Sequence, residues 1–250
     1  MKQLLFVLFV LISFSSISQN LKFGIINDPD GYTNVRSEPR GNSKIIRQIN
    51  ENEVFSYTYT DSHDWYEVTL INCHDSNNTT YFPSMVGYMH KSRVRDLDSL
   101  EVQKKGDIIK AIFDKEIALY KKTDTSSNCE WVNFHERIFD PNLKFITKFI
   151  CNTNDEELFR TYIELILIEG GSADESPRFA LGDLYMCQEG MIETIIKEQV
   201  GNSTLLQDLE WGVVPYIYRK EDQNSKRIKK KLKEYRVLYN LDTLDYDNYY

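Results

Sequence analysis

The sequence predicts a multidomain α+β chain, with a small N-terminal β-barrel followed by an all-α helical bundle. Three observations carry this reading. From Phe23 to Leu97, short apolar runs are broken by turn residues roughly every 8–12 positions, as in a small barrel or sandwich. Within that span, Phe55, Tyr57 and Tyr59 alternate with Ser56, Thr58 and Thr60, the period of a half-buried strand. From Ser99 onward the apolar spacing lengthens toward that of a helix. The expected division is a leader at 1–18, a barrel at 19–97, a helical domain at 98–240 and a loose acidic tail at 241–250; a length of 250 residues also favours two domains.

The N-terminus reads as a signal peptide. Lys2 supplies the positive start, and the apolar run from Leu4 to Phe14 is shorter than the roughly 20 residues that span a bilayer. Ser16-Ile17-Ser18 offers small residues for cleavage after Ser18; an uncleaved anchor helix is the competing reading. No cysteine follows the apolar run, so a lipid anchor is not supported. No later stretch is apolar over the roughly 18 residues a membrane helix needs, so no integral span is expected in the mature chain. The expected location is the periplasm or the extracellular space.

Each strand of the barrel is bounded by turn chemistry. Phe23-Gly24-Ile25-Ile26 runs into Asp28-Pro29-Asp30-Gly31, where Pro fixes φ and Gly accepts a positive φ. Asn34-Val35-Arg36 is short and stops at Glu38-Pro39-Arg40-Gly41-Asn42; Lys44–Ile49 turns at Glu51-Asn52-Glu53 into Val54–Thr60. After Asp61-Ser62-His63-Asp64, residues Tyr66, Val68 and Leu70 share one strand face, with Trp65, Glu67 and Thr69 on the other. Val86-Gly87-Tyr88-Met89 and Val94-Arg95 complete the set.

Asn34-Val35-Arg36-Ser37-Glu38-Pro39, Trp65-Tyr66-Glu67-Val68 and Gly87-Tyr88-Met89-His90, in this order and spacing, resemble the bacterial SH3 domain. The resemblance covers roughly a quarter to a third of the chain, and its motifs are individually loose. The family's central glycine is Asn52 here, a residue that also tolerates a positive φ. The resemblance implies an SH3-like barrel that binds peptidoglycan, peptides or partner proteins, and it brings no catalytic residues. This chain departs from the family between Leu70 and Val86, where a long segment carries Tyr81, Phe82 and Pro83. Loops beyond about 12 residues are often functional or mobile. Trp65, Tyr59, Tyr81 and Phe82 are the candidate ligand surface, because aromatics give large stacking area at low entropy cost. On the alternative reading, Trp65 covers the barrel end and the loop packs on the second domain. Cys73 and His74 with His63 and His90 fit no zinc spacing, so no metal is expected. Asn77-Asn78-Thr79-Thr80 and Asn202-Ser203-Thr204 match a glycosylation pattern that is common by chance.

Helical stripes follow: Ile108 to Tyr120 after Gly106-Asp107; Trp131, Phe134 and Ile138 behind an Asn128 cap; Leu143 to Ile150; and Leu158 to Ile166 behind acidic Asp155-Glu156-Glu157. Ser176-Pro177 opens a helix with an expected break at Gly190, and Asn202-Ser203 opens another. No repeat period is evident. Gly170-Gly171-Ser172-Ala173-Asp174 lacks the Gly-Lys-Ser/Thr ending of a phosphate loop. Glu164, Glu169, Asp174 and Glu175 are available carboxylates, but on helices such residues usually form a solvated face. Cys187 has no recognisable nucleophile context, and His135 is the only histidine after the barrel.

Four cysteines in an exported chain leave three pairings open. If helices near 129–139 and 142–152 fold back around Pro141, Cys129 and Cys151 sit at equal height and can pair; four buried thiols are the alternative. The net charge of −8 argues against a nucleic-acid partner, since basic charge carries phosphate binding. The run Lys226 to Arg236 is nevertheless basic, with Ile228, Leu232, Tyr235 and Tyr239 on one face. It reads either as an attraction to an anionic envelope surface or as a docked helix with a solvated basic face. The expected function is an exported, non-catalytic binding or scaffold protein, without cofactor, whose partner is a cell-wall glycan or peptide or an envelope protein. The alternatives are a wall hydrolase with an unrecognised helical domain and an inhibitor or immunity-like protein.

Overall fold

The computed structural model describes residues 21–60, 64–70, 85–122, 129–168, 175–218, 222–242, 244 and 246. The leader at 1–18, the Asn128 cap, the segment 170–174 and most of the tail lie outside the described residues, as do His63, Cys73, His74, Tyr81 and Phe82. Described residues up to Leu100 form one compact unit, and those from Glu101 form another.

The first unit holds β1 (Lys22–Ile26), β2 (Tyr32–Arg36), β3 (Ile45–Asn50), β4 (Phe55–Tyr59), β5 (Trp65–Leu70), β6 (Met85–His90) and β7 (Val94–Asp96). They pair antiparallel in the order β3-β2-β6-β5-β4-β1-β7. A single apolar cluster takes Ile26 from β1, Val35 from β2, Ile49 from β3, Phe55 and Tyr57 from β4, Val68 and Leu70 from β5, and Met89 from β6. A flat sheet of this order cannot bring all those side chains together, so the sheet coils around them in an SH3-like barrel. Two turns meet the expected backbone demands: Gly31 has φ +77° and Asn52 has φ +65°. Gly87 faces inward beside Val68, and a Cβ there would lie 2.3 Å from Val35 Cγ1. The glycine of the Gly-Tyr pair is thus fixed by core packing.

The second unit consists of α1 (Val102–Lys122), α2 (Cys129–Phe134), α3 (Asp140–Thr153), α4 (Glu156–Ile168), α5 (Ser176–Glu198), α6 (Ser203–Ile217) and α7 (Gln223–Leu238). Asp155 caps α4 by accepting the Leu158 N–H at 3.0 Å, and Asn202 caps α6 by accepting the Thr204 N–H. Phe113 of α1 lies between Phe139 and Tyr162, with ring centroids 6.5 and 5.8 Å away. Near this core Glu116 is 0 % exposed. Its Oε1 accepts from Trp131 Nε1 at 2.8 Å and meets His135 Nδ1 at 2.7 Å. The helices α5 and α6 cross at Gly182 and Gly212, where a Cβ on Gly182 would lie 1.9 Å from the Gly212 carbonyl oxygen.

Two expectations are corrected here. The first is the Cys129–Cys151 pair: Cys151 is bonded instead to Cys187 of α5, with Cα atoms 5.7 Å apart. The chain does not fold back at Pro141. A π-helical turn over His135–Phe139 joins α2 to α3, and Phe134, Phe139 and Asp140 all keep right-handed helical angles. Pro141 sits in the first turn of α3, where its missing N–H costs little. Cys129 and Cys151 therefore lie along one helical path, not across a hairpin. The second correction is the break in α5, which falls at Gln188 (φ −130°, ψ 38°) and not at Gly190.

The basic helix α7 is docked. Ile228, Leu232 and Tyr235 are buried, Lys231 pairs with Glu193 at 2.7 Å, Arg227 pairs with Glu189, and Arg236 grips both oxygens of Glu210 at 2.9 and 3.0 Å.

Candidate binding cleft

On the outer face of the barrel, three short segments enclose a cleft of about 430 Å³. The Asp28–Gly31 turn forms the first wall. The Asp28 carboxylate accepts from the Thr33 hydroxyl at 2.8 Å and from the Asp30 N–H at 3.3 Å, and pairs with Arg93 at 2.9 Å. The second wall is the bend after β2, where Arg36 Nη1 donates to the Ser43 carbonyl at 2.8 Å and the Ser43 hydroxyl donates back to Glu38 O at 2.9 Å. The third comes from β5 and β6. Trp65 and His90 are cross-strand partners, so their side chains share a face, and their rings meet edge-on at 5.4 Å. His90 Nδ1 lies 2.8 Å from the Ser92 hydroxyl and accepts the Ser92 N–H, which caps the short turn at Lys91–Arg93. Tyr32 and Asn34 complete the lining.

Aromatic plates and polar groups thus converge in one recess: Trp65, Tyr32 and His90 beside Arg36, Arg93, Asp30 and Asn34. Such a set can stack against a ring or a peptide plane while hydrogen bonds fix its orientation. Among the described residues, no group of three His, Cys, Asp or Glu side chains is placed to hold a metal ion.

Of the four aromatic residues expected to form one ligand surface, Trp65 lines the cleft, whereas Tyr81 and Phe82 lie outside the described residues. Tyr59 does not share a face with Trp65. It is the cross-strand partner of Tyr66, and successive residues Trp65 and Tyr66 point to opposite faces. Tyr59 therefore sits at the inner rim, 58 % exposed, edge-on to Tyr66 at 5.2 Å and beneath Lys22 Nζ at 5.6 Å. The rim continues through Tyr57, stacked on Tyr66 at 4.9 Å and donating to Asp96 at 2.8 Å. Burial, with Asp96 beside it, pushes the Tyr57 phenol far up.

Sequence reading missed Asp28, Tyr32, Arg36 and Arg93. Their signal was present in the Asp-Pro-Asp-Gly turn and in Asn34-Val35-Arg36, but these were legible only as a turn and a strand.

The pinned turn predicts an acid response. The Thr33 hydroxyl, with the Asp30 N–H and Arg93, holds the Asp28 carboxyl below its usual 3.8. A depressed carboxyl stabilises the fold above that pH, and the contribution is lost as pH falls through the lower folded value. In urea unfolding, the Asp28 contribution is expected to be complete above about pH 5 and to be lost as pH falls below it. Asp28→Asn should remove part of that dependence; an unchanged profile in this variant would assign the acid response elsewhere.

No curated protein and no solved structure matches the chain. Residues 31–95 match the family model described as the bacterial SH3 domain. The match spans the Asp28–Gly31 side of the cleft from Gly31 onward, both cross-strand aromatics and β7 as far as Arg95. With the coiled antiparallel sheet and its single core, this makes the N-terminal unit a bacterial SH3 domain, the kind of module that points to a cell-wall component as ligand.

Proposed function

We propose that the protein is an exported, non-catalytic binding protein whose SH3 unit holds a cell-envelope ligand, peptidoglycan or a partner protein, in the cleft between Trp65, Tyr32 and Arg36. The observation that carries this reading is the convergence of the Trp65–His90 pair with the Arg36 and Arg93 walls in one recess. Export is supported by the N-terminal apolar run and by the Cys151–Cys187 disulfide, a bond that persists in oxidising compartments. The helical unit serves in this reading as the second interaction module.

Co-sedimentation with purified peptidoglycan tests it. Trp65→Ala should weaken pelleting about tenfold, the loss expected when a buried aromatic anchor is truncated. Tyr59→Ala, on the other face, should change it by less than about twofold. Equal losses in the two variants would move the site to the inner rim. Absence of pelleting by the wild type would exclude the glycan ligand and leave a protein partner to be sought with the same two variants.

A further inference from the structure

The disulfide of the helical unit coincides with a break in a helix. Cys151 lies near the end of α3, and Cys187 lies in the middle of α5. Of the two residues, Cys187 is exposed and Cys151 half-buried. The next residue is Gln188, where α5 leaves helical geometry. The Gln188 side chain donates to the Cys151 carbonyl at 3.3 Å and to Asn154 Oδ1, and Asn154 is the left-handed residue that closes α3. One covalent bond and two hydrogen bonds thus tie the end of α3 to the break. Sharp helix kinks normally have a local cause such as proline, and none stands at Gln188. The break stands where the tether attaches.

The two halves of α5 hold different neighbours. The first half carries the Gly182 crossing with α6 and the Arg178–Asp208 pair at 2.7 Å. The second half carries the acceptors for α7 and the residue after it: Glu189 for Arg227, Glu193 for Lys231, and the Ile196 carbonyl for the Tyr239 hydroxyl at 2.7 Å. The second half of α5 thus shares the docking of α7 with α6, which holds it through Arg236–Glu210 and the Ser225 hydroxyl on the Ile217 carbonyl.

We propose that Cys151–Cys187 is a reductive clamp: its opening by an external dithiol releases the bend at Gln188 and loosens the second half of α5 together with α7. A thiolate of the dithiol attacks the sulfur of Cys187, the more exposed residue of the pair, the S–S bond breaks, and Cys151 leaves as a thiolate that takes up a proton. The second thiol of the reagent then attacks the mixed disulfide and releases Cys187, which is protonated in turn. The protein gains two electrons and two protons, and the dithiol becomes a disulfide.

The test treats the folded full chain with dithiothreitol, then reads alkylation of each cysteine and hydrogen exchange peptide by peptide. Cys151 and Cys187 should become alkylated without loss of the far-UV helical signal, and exchange over residues 189–198 and 223–239 should accelerate about tenfold or more while α1 is unchanged. The Cys151→Ser/Cys187→Ser double variant, with Cys73 and Cys129 intact, should give the same pattern without reductant. Protection of Cys187 until global unfolding would overturn the clamp. So would unchanged exchange, acceleration spread evenly over the helical unit, or a double variant that does not fold, since the released state must remain folded.

Discussion

Gly212→Val is expected to unfold the helical unit or to lower its melting temperature by well over ten degrees. At the crossing of α5 and α6, a Cβ on Gly212 would lie 2.1 Å from the Arg178 carbonyl oxygen and 2.8 Å from the Gly182 nitrogen. These obstacles are backbone atoms and cannot swing aside as a side-chain tip can. The helices would have to separate, and separation disturbs two helices that carry the buried Leu181, Leu209 and Val213 and stretches the Arg178–Asp208 pair. Overpacking in cores whose side chains can adjust costs about 1–3 kcal/mol; with only backbone to move, a loss of about 4 kcal/mol or more is expected. Gly182→Val should behave alike. Gly190→Ala, where a new Cβ meets nothing within 4 Å among the described residues, should be neutral or stabilising by up to about 1 kcal/mol. Thermal melts of the three variants by far-UV circular dichroism decide it, and a Gly212→Val melt within a few degrees of wild type would show that the crossing tolerates separation.

Glu116→Ala should produce the second large loss. Its carboxylate is fully buried, Oε1 serves both the Trp131 indole and the His135 ring, and Oε2 is buried without a hydrogen-bond partner among the described residues. Truncation takes the shared acceptor from the buried His135 and the half-buried Trp131 and leaves a cavity beside Tyr120 and Trp131, whose rings meet at 5.4 Å. Loss of a buried acceptor together with the cavity costs about 2–5 kcal/mol, a large share of the 5–15 kcal/mol that holds a typical domain together. Glu116→Gln keeps the volume and one oxygen acceptor, so its loss should be about 1 kcal/mol. Chemical denaturation separates the outcomes. Equal costs for the two substitutions would show that charge matters more than the acceptor geometry.

Much of the fold was legible because local chemistry and global packing agree. Phe55 and Tyr57 alternate into the core as their spacing demands, Gly31 and Asn52 take the positive φ their turns require, and Asp155 and Asn202 cap the helices they precede. The candidate site was only partly legible. Trp65 stands out as a residue type, but the cleft it lines depends on Asp28, Arg36 and Arg93, which come from three separated segments that only the coiled sheet brings together. That Tyr59 and Trp65 lie on different faces follows from cross-strand register, which residue type alone does not carry. The cysteine pairing failed for a related reason: proline was taken as a bend, and a π-helical turn carried the helix past it. The Gly182–Gly212 crossing left no trace in the apolar pattern, since its signature is the absence of side chains.

The position of β1 between β4 and β7 has a consequence for the order in which the molecule is made. Gly24 pairs with Asp96, and the Asn27 N–H donates to the Arg93 carbonyl, so the first strand depends on one built about 70 residues later. A chain emerging N-terminus first cannot close this barrel until Asp96 is free, and strand pairing across such distances is slow compared with helix formation. Over that interval the edge of β1 that pairs with β7 has no strand beside it. The helices meet nearer neighbours, α5 with α6 and α6 with α7, and can pack as they appear. The unit made first thus waits for its own last strand, and it can close before the helices that follow are all present.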